Sequence, residues 1–164
     1  MRVAVASFIV LSGVVVAAQT QRATREDFTE YLPPGDGKPL VAAQCSSCHE
    51  LKGTIQLRRS KQEWEAIVLD MAARGAPLTI EEADTIIGYL STVFSPTSPP
   101  LVEVNTAAKS DLVKLPGITP DLADRLIAHR TAKGPLASRE SVRAALGLHE
   151  ASFAKMKWYV KVAP

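Results

Sequence analysis

Cysteine is nearly missing from this 164-residue chain: it has two, Cys45 and Cys48. That excludes the multi-bridge framework that staples many small exported domains. It also excludes a four-thiolate zinc site. Zinc needs about four ligands, and the histidines other than His49 are His129 and His149, far downstream. Methionine is scarce as well, with Met1, Met71 and Met156 the whole set. Aromatic residues make up 5% of the chain. Trp158 and Tyr159, near its end, read as closure of a core rather than as platforms for stacked bases. No apolar run reaches the roughly 20 residues of a membrane span. The longest extends from Val3 to Val16.

What is present begins with that run. Arg2, the apolar stretch and the small residues Ala17-Ala18 have the layout of a signal peptide over 1–18, the alternative being an uncleaved anchor. The mature chain is expected to be periplasmic or otherwise exported, with no integral membrane domain after cleavage. Net charge is uneven, at −2 over residues 19–36, −1 over 37–95 and +4 over 102–164. SPTSPP at 95–100 interrupts the chain with three prolines, which favour an extended spacer. The predicted organisation is a signal at 1–18, an N-terminal extension at 19–36, one small domain at 37–95, a Pro-rich linker at 96–101 and a second domain at 102–164.

The first domain contains CSSCH at 45–49, the pattern of c-type haem attachment. Two thiols three residues apart on a helical turn can form thioethers with the two vinyl groups of one haem. The next residue, His49, then offers its imidazole to the iron. A disulfide is the bland alternative for a lone cysteine pair in an oxidising compartment. A thioredoxin-like pair would call for strand alternation, which this region lacks. One covalently bound haem c is therefore the expected cofactor. In SKQEWEAIVLDM, Ser60 and Glu63 form a capping box, and Trp64, Ile67, Val68 and Met71 recur at helical spacing. Met71 is either the last core residue of that stripe or the second axial ligand of the iron. A His/Met pair would suit electron transfer, whereas an open sixth position would suit a haem enzyme or sensor. Arg58 and Arg59, just before this helix, are candidates to pair a haem propionate. Thr79 with Glu82 caps a third helix carrying Ile86, Ile87, Leu90, Val93 and Phe94.

The run LPPGDGKPLVAAQCSSCHEL, then RRSKQEW and DMAARGAPLTIEEADTIIGYLSTVF, resembles the small monohaem c-type cytochromes that serve periplasmic quinohaemoprotein and sulfite dehydrogenases. The resemblance spans roughly 31–95. It implies that His49 and Met71 are the axial metal ligands, that Trp64 packs by the haem edge, and that the domain carries single electrons to or from a redox partner such as a periplasmic dehydrogenase. No catalytic cluster accompanies the motif, so the chain is not expected to be an enzyme.

Residues 102–164 read as all-helical. Asn105 or Thr106 is expected to cap a helix through Leu112-Val113, LPGI at 115–118 makes a tight turn, and Pro120 opens the next helix. Gly134-Pro135 breaks that helix, and a weaker helix pair surrounds Gly147. Two such units about 30 residues apart suggest an internal duplication. The landmarks VNTA, L-x-x-LPGI, I-A-x-R, K-G-P-L and G-L-x-E resemble the tandem helix-hairpin-helix domain of competence-protein DNA receptors. In that family a glycine turn admits a phosphate to the amides of the following helix, without sequence readout. The DNA-binding candidates here are Lys114, Gly117, Ile118, Thr119, Arg125 and Arg130. The family pattern has a second glycine in each turn, where this chain carries Thr119 and His149. Thr119 gives up close approach and cheap positive φ, and Asp121 and Asp124 add repulsion.

The expected fold is thus all-α: a three-helix cytochrome c-like haem domain followed by a tandem helix-hairpin-helix domain. The expected function is an exported electron carrier whose C-terminal domain tethers it to double-stranded DNA, non-specifically, or to a protein partner. The competing reading is an extracytoplasmic DNA-binding or DNA-uptake protein with an accessory haem.

Overall fold

Reciprocal capping boxes start the two long helices of the first half. Ser60 accepts from the Glu63 amide while the Glu63 carboxylate accepts from the Ser60 amide at 2.9 Å; Thr79 and Glu82 repeat the arrangement at 2.8 Å. The helices they begin are α3 (Lys61–Ala73) and α4 (Ile80–Val93) in a computed structural model that describes residues 27–162. The signal peptide expected at 1–18 lies outside the described residues. Before these two come α1 (Lys38–Leu40), which continues as a π-helical turn over Val41–Cys45, and the short α2 (Lys52–Gln56). No helix among the described residues is long and apolar enough to cross a membrane.

α1 crosses α4 at a point with no room for a side chain. A Cβ on Gly37 would lie 2.4 Å from Tyr89 Cβ and 3.0 Å from the Thr85 carbonyl oxygen. Tyr89 is buried and donates its hydroxyl to the Pro33 carbonyl at 2.6 Å, and burial pushes its phenol pKa up. The same core takes in Phe28, Tyr31 and Leu32 from a 3₁₀ turn at Phe28–Tyr31. Phe28, Tyr31 and Leu32, set apart on sequence as part of an extension, thus belong to the first hydrophobic cluster along with Val41, Ile55, Trp64, Ile86, Leu90 and Phe94.

The second half has its own core, centred on Val104, Leu112, Leu126, Val142, Leu146, Met156 and Val160. Its helices are α5 (Lys109–Leu112), α6 (Pro120–Lys133), α7 (Arg139–Leu146) and α8 (Glu150–Met156), followed by a 3₁₀ turn at Lys157–Tyr159. A two-residue parallel pairing of β1 (Val102–Glu103) with β2 (Val160–Lys161) ties the start of this half to its end. The architecture is mostly helical, with this single small ladder among the described residues.

Two local expectations are corrected. Asn105 does not cap α5, whose N-cap is Ala108 with no side-chain bond. Its amide instead grips the Leu136 backbone in both directions, donating from Nδ2 at 3.0 Å and accepting at Oδ1 at 2.8 Å. The two hairpins are joined by that clamp. Nor is the Pro-rich linker a bare spacer. Arg58 donates to the carbonyls of Ser98 and Pro99 as well as to those of Ile55 and Leu57, and it stacks 5.2 Å from the Phe94 ring.

Candidate functional sites

The CSSCH segment sits where the first helix ends. The π-helical turn closes at Cys45, so Cys48 and His49 lie on the turn beyond it and not on a continuing helix. Ser46 donates to the Ala42 carbonyl and Ser47 to the Gln44 carbonyl at 2.6 Å, which holds the turn against the helix end. Both thiols are free. Cys45 is half-buried against the first core, and burial pushes its thiol pKa up, whereas Cys48 is exposed. No disulfide joins the two in this structure.

His49 is exposed, and its Nδ1 lies 3.0 Å from the Glu50 carbonyl oxygen. A carbonyl only accepts, so Nδ1 carries a proton and faces the backbone, and Nε2 is the ring nitrogen left to meet a metal. That is the orientation a metal-ligating imidazole needs. Two reduced thiols three residues apart, next to an imidazole oriented in this way, fit a covalently attached haem as a donor set. His49 lines a surface pocket of about 240 Å³ together with Asp27, Phe28, Thr29, Ser46, Glu50 and Leu51. Sites that enclose a ligand run to about 300–1,000 Å³, so a group bound here is held at its edge. Asp27, Phe28 and Thr29 were not picked out from the sequence. The signal available was the apolar i, i+3, i+4 spacing of Phe28, Tyr31 and Leu32.

Among the other haem-site residues named on sequence, Met71 lies in the last turn of α3 and is half-buried. Trp64 is buried at 1% exposure, and its indole N–H donates to the Phe94 carbonyl at 3.1 Å, fastening α3 to the end of α4. Arg59 is on the surface, 3.7 Å from Glu63. Arg58 is committed to the linker carbonyls described above.

In the second half, the two hairpin turns repeat at Gly117 and Gly147. Both glycines have positive φ, 79° and 63°, the region where a Cβ is costly. At Gly147 the turn closes as a Schellman motif, with the Leu148 amide on the Arg143 carbonyl and the Gly147 amide on the Ala144 carbonyl. The positions where a second glycine was missed are both N-caps in extended conformation: Thr119 at φ −81° and His149 at φ −65°. Neither needs glycine for its backbone angles. The positive-φ objection to Thr119 therefore falls away, and only its bulk remains. Thr119 caps α6, accepting from the Leu122 amide at 3.3 Å. Among the described residues, nothing beyond its two chain neighbours lies within 4 Å of a Cβ placed on Gly117, so that face of the turn is open.

The structure divides the basic candidates. Gly117 and Thr119 are exposed on the turn, Ile118 is buried beneath it, and Lys114 precedes it, paired with Asp111 at 2.6 Å. Arg125 is exposed on α6 and reaches toward the other hairpin, its Nη2 falling 3.8 Å from where a Gly147 Cβ would sit. Arg130 is turned away to serve the fold, donating to the carbonyls of Val104 at 2.6 Å and Ala107 at 2.8 Å. Lys109 is paired with Asp124, and Arg143 with Glu140 and Glu150. These pairs use acids already counted in the +4 of this half, so its net positive charge stands, while Lys109, Lys114 and Arg143 each carry a local acidic partner.

Residues 99–161 match the helix-hairpin-helix motif family. Read with the two glycine turns 30 residues apart, this stretch is a helix-hairpin-helix domain, a fold compatible with DNA binding. Comparison with curated proteins and with solved structures returned no match.

Proposed function

We propose that the protein is an exported monohaem c-type cytochrome that carries single electrons, with its helix-hairpin-helix domain tethering it to DNA or to a protein partner. The observation that carries the proposal is the CSSCH turn. There, two unoxidised thiols stand beside an imidazole whose Nδ1 proton is given to the Glu50 carbonyl, leaving Nε2 for a metal. Cys45 and Cys48 would hold haem covalently, His49 and Met71 would be its axial ligands, and Arg59 would face a propionate. Bound there, the iron would supply a one-electron couple, raised in potential by a thioether ligand. Trp64 supports this arrangement by locking α3, and so Met71, to α4. Export, which this chemistry requires, rests on the leader-like layout of residues 1–18.

The test is expression with a periplasmic haem-maturation system. The expected product has a covalent haem that survives denaturation and a low-spin spectrum lost in Met71→Ala. Thiols found as a disulfide with no haem would sink the reading. An unchanged spectrum in Met71→Ala would favour an open-site enzyme or sensor instead.

The second reading, a DNA-binding or DNA-uptake protein with an accessory haem, is favoured by the open Gly117 face and by Arg125 beside the second turn. Binding of this kind would be sequence-independent and steeply salt-dependent. Lys114 beside the first turn is paired with Asp111 and Arg130 is given to backbone carbonyls, so the expected grip on duplex DNA is weak. Titration at low and moderate salt, with Arg125→Glu as the variant, decides it. Absence of binding at low salt leaves the protein-docking role.

A further inference from the structure

The two halves meet on one short segment. The 3₁₀ turn at Phe28–Tyr31 has the His49 pocket on one side, through Phe28 and Thr29, and the helix-hairpin-helix domain on the other. The 3₁₀ turn at Lys157–Tyr159 packs against the 28–31 turn, and Arg139, the first residue of α7, reaches it with its side chain. Its guanidinium lies over the Tyr31 ring at 4.3 Å. Nη1 donates to the Glu30 carbonyl at 3.2 Å, and Nε donates back to the Val160 carbonyl of β2 at 3.1 Å. Nη2 is buried with no hydrogen-bond partner among the described residues, and the Glu30 carboxylate is 3.7 Å away. Lys161 adds a cation 5.7 Å from the Phe28 ring, and Trp158 lies between Lys38 and Lys157 at 4.9 and 4.8 Å. One side chain therefore bonds to backbone in both halves at once. The side chain is 21% exposed, its bond to Val160 being part-buried and its bond to Glu30 lying at the exposed edge.

We infer that Arg139 is a latch that seats the helix-hairpin-helix domain on the 28–31 turn, and that through this turn it positions the Phe28 wall of the His49 pocket. The part of this inference that concerns a bound haem rests on the function proposed above. The latch itself does not. Phe28 and Tyr31 face each other at 5.9 Å within a single turn, so the turn moves as a unit. Releasing Tyr31 from the guanidinium loosens Phe28, and with it the pocket lined by His49. In this arrangement the C-terminal domain is a fixed wall of the redox half rather than a swinging tail, and a ligand taken up by that domain is sensed at the pocket.

The test uses the full chain with Arg139→Gln and, as a charge-neutral second variant, Tyr31→Leu, which keeps apolar bulk but removes the ring beneath the guanidinium. In the haem-free chain, hydrogen exchange at the Leu32 amide, which bonds to the Thr29 carbonyl, is expected to quicken about tenfold or more in both variants. The His49 ring resonances are expected to move as well. In haem-loaded protein, Tyr31→Leu is expected to shift the midpoint potential, because access of water to the pocket changes without a change of charge. Unchanged exchange overturns the latch. Faster exchange with His49 unmoved, or with the potential unshifted, overturns its link to the pocket. A chain that takes up no haem sinks the proposed function, while the exchange and His49 readouts still decide the latch.

Discussion

Gly37→Ala isolates the contact on which the first half is assembled. Gly37 has ordinary helical angles, φ −80° and ψ −10°, so alanine costs nothing in backbone strain there. By restricting the unfolded chain it would by itself stabilise by about 0.4–1 kcal/mol. Against this stands the new Cβ, 2.4 Å from Tyr89 Cβ, 2.9 Å from Tyr89 Cγ and 3.0 Å from the Thr85 carbonyl oxygen. Two of these atoms are the root of a side chain and one is backbone, so none can swing aside, and α1 must back off from α4. Overpacking a well-filled contact costs about 1–3 kcal/mol, more where the backbone must move. The expected net loss is about 1–3 kcal/mol, seen as a fall in melting temperature of roughly 3–10 °C by circular dichroism. Gly88→Ala is the internal control. It lies within α4, with nothing inside 4 Å of its Cβ, so helix propensity alone should raise stability by about 0.5–1 kcal/mol. If Gly37→Ala proves as stable as Gly88→Ala, the α1–α4 crossing is not as close as described, and the packing argument fails.

Trp64→Phe should cost only about 1–2 kcal/mol, because the Phe94 carbonyl keeps the Arg59 amide at 3.0 Å as a second donor; Trp64→Ala, which empties the site, should cost about 3–5 kcal/mol in urea unfolding. Asn105→Ala strips both bonds from the Leu136 backbone and should destabilise by about 2 kcal/mol; faster exchange at the Leu136 amide would report the open clamp. The Ser60 amide holds the Glu63 carboxyl below its ordinary value of 4.5. A depressed folded pKa gives stability that is present above pH 4.5 and is lost as pH falls through the folded value. Thermal melts from pH 6 to pH 3 should show Glu63→Gln losing less stability on acidification than the parent chain, and parallel curves would refute this role for the capping box.

Local chemistry carried much of the architecture into the sequence. Ser60 with Glu63 and Thr79 with Glu82 mark helix starts within a few residues, and Gly117 and Gly147 mark turns, because each feature needs only its near neighbours. The close spacing of Cys45, Cys48 and His49 was readable for the same reason. Asn105 was misjudged because an asparagine near a helix start caps it when nothing better is in reach; here the Leu136 backbone, 31 residues on, is in reach. Arg130 and Arg58 looked like surface cations for the same reason, since the carbonyls that tie them to other parts of the fold lie 23 to 41 residues away along the chain. The extended N-caps at Thr119 and His149, which remove the need for a second glycine, could be seen only as backbone angles.

By itself the sequence determined a helical chain with a CSSCH segment in its first half and a duplicated hairpin in its second. Periodicity, caps and turn residues act over a few positions and are written directly in the residue order. Tertiary structure alone decided which cations serve the fold and which face outward, and that residues 28–31 are shared between the His49 pocket and the hairpin domain. These are contacts between groups up to 109 residues apart. They form because folding removes arginines from water and buried guanidinium groups must find acceptors wherever the chain brings them.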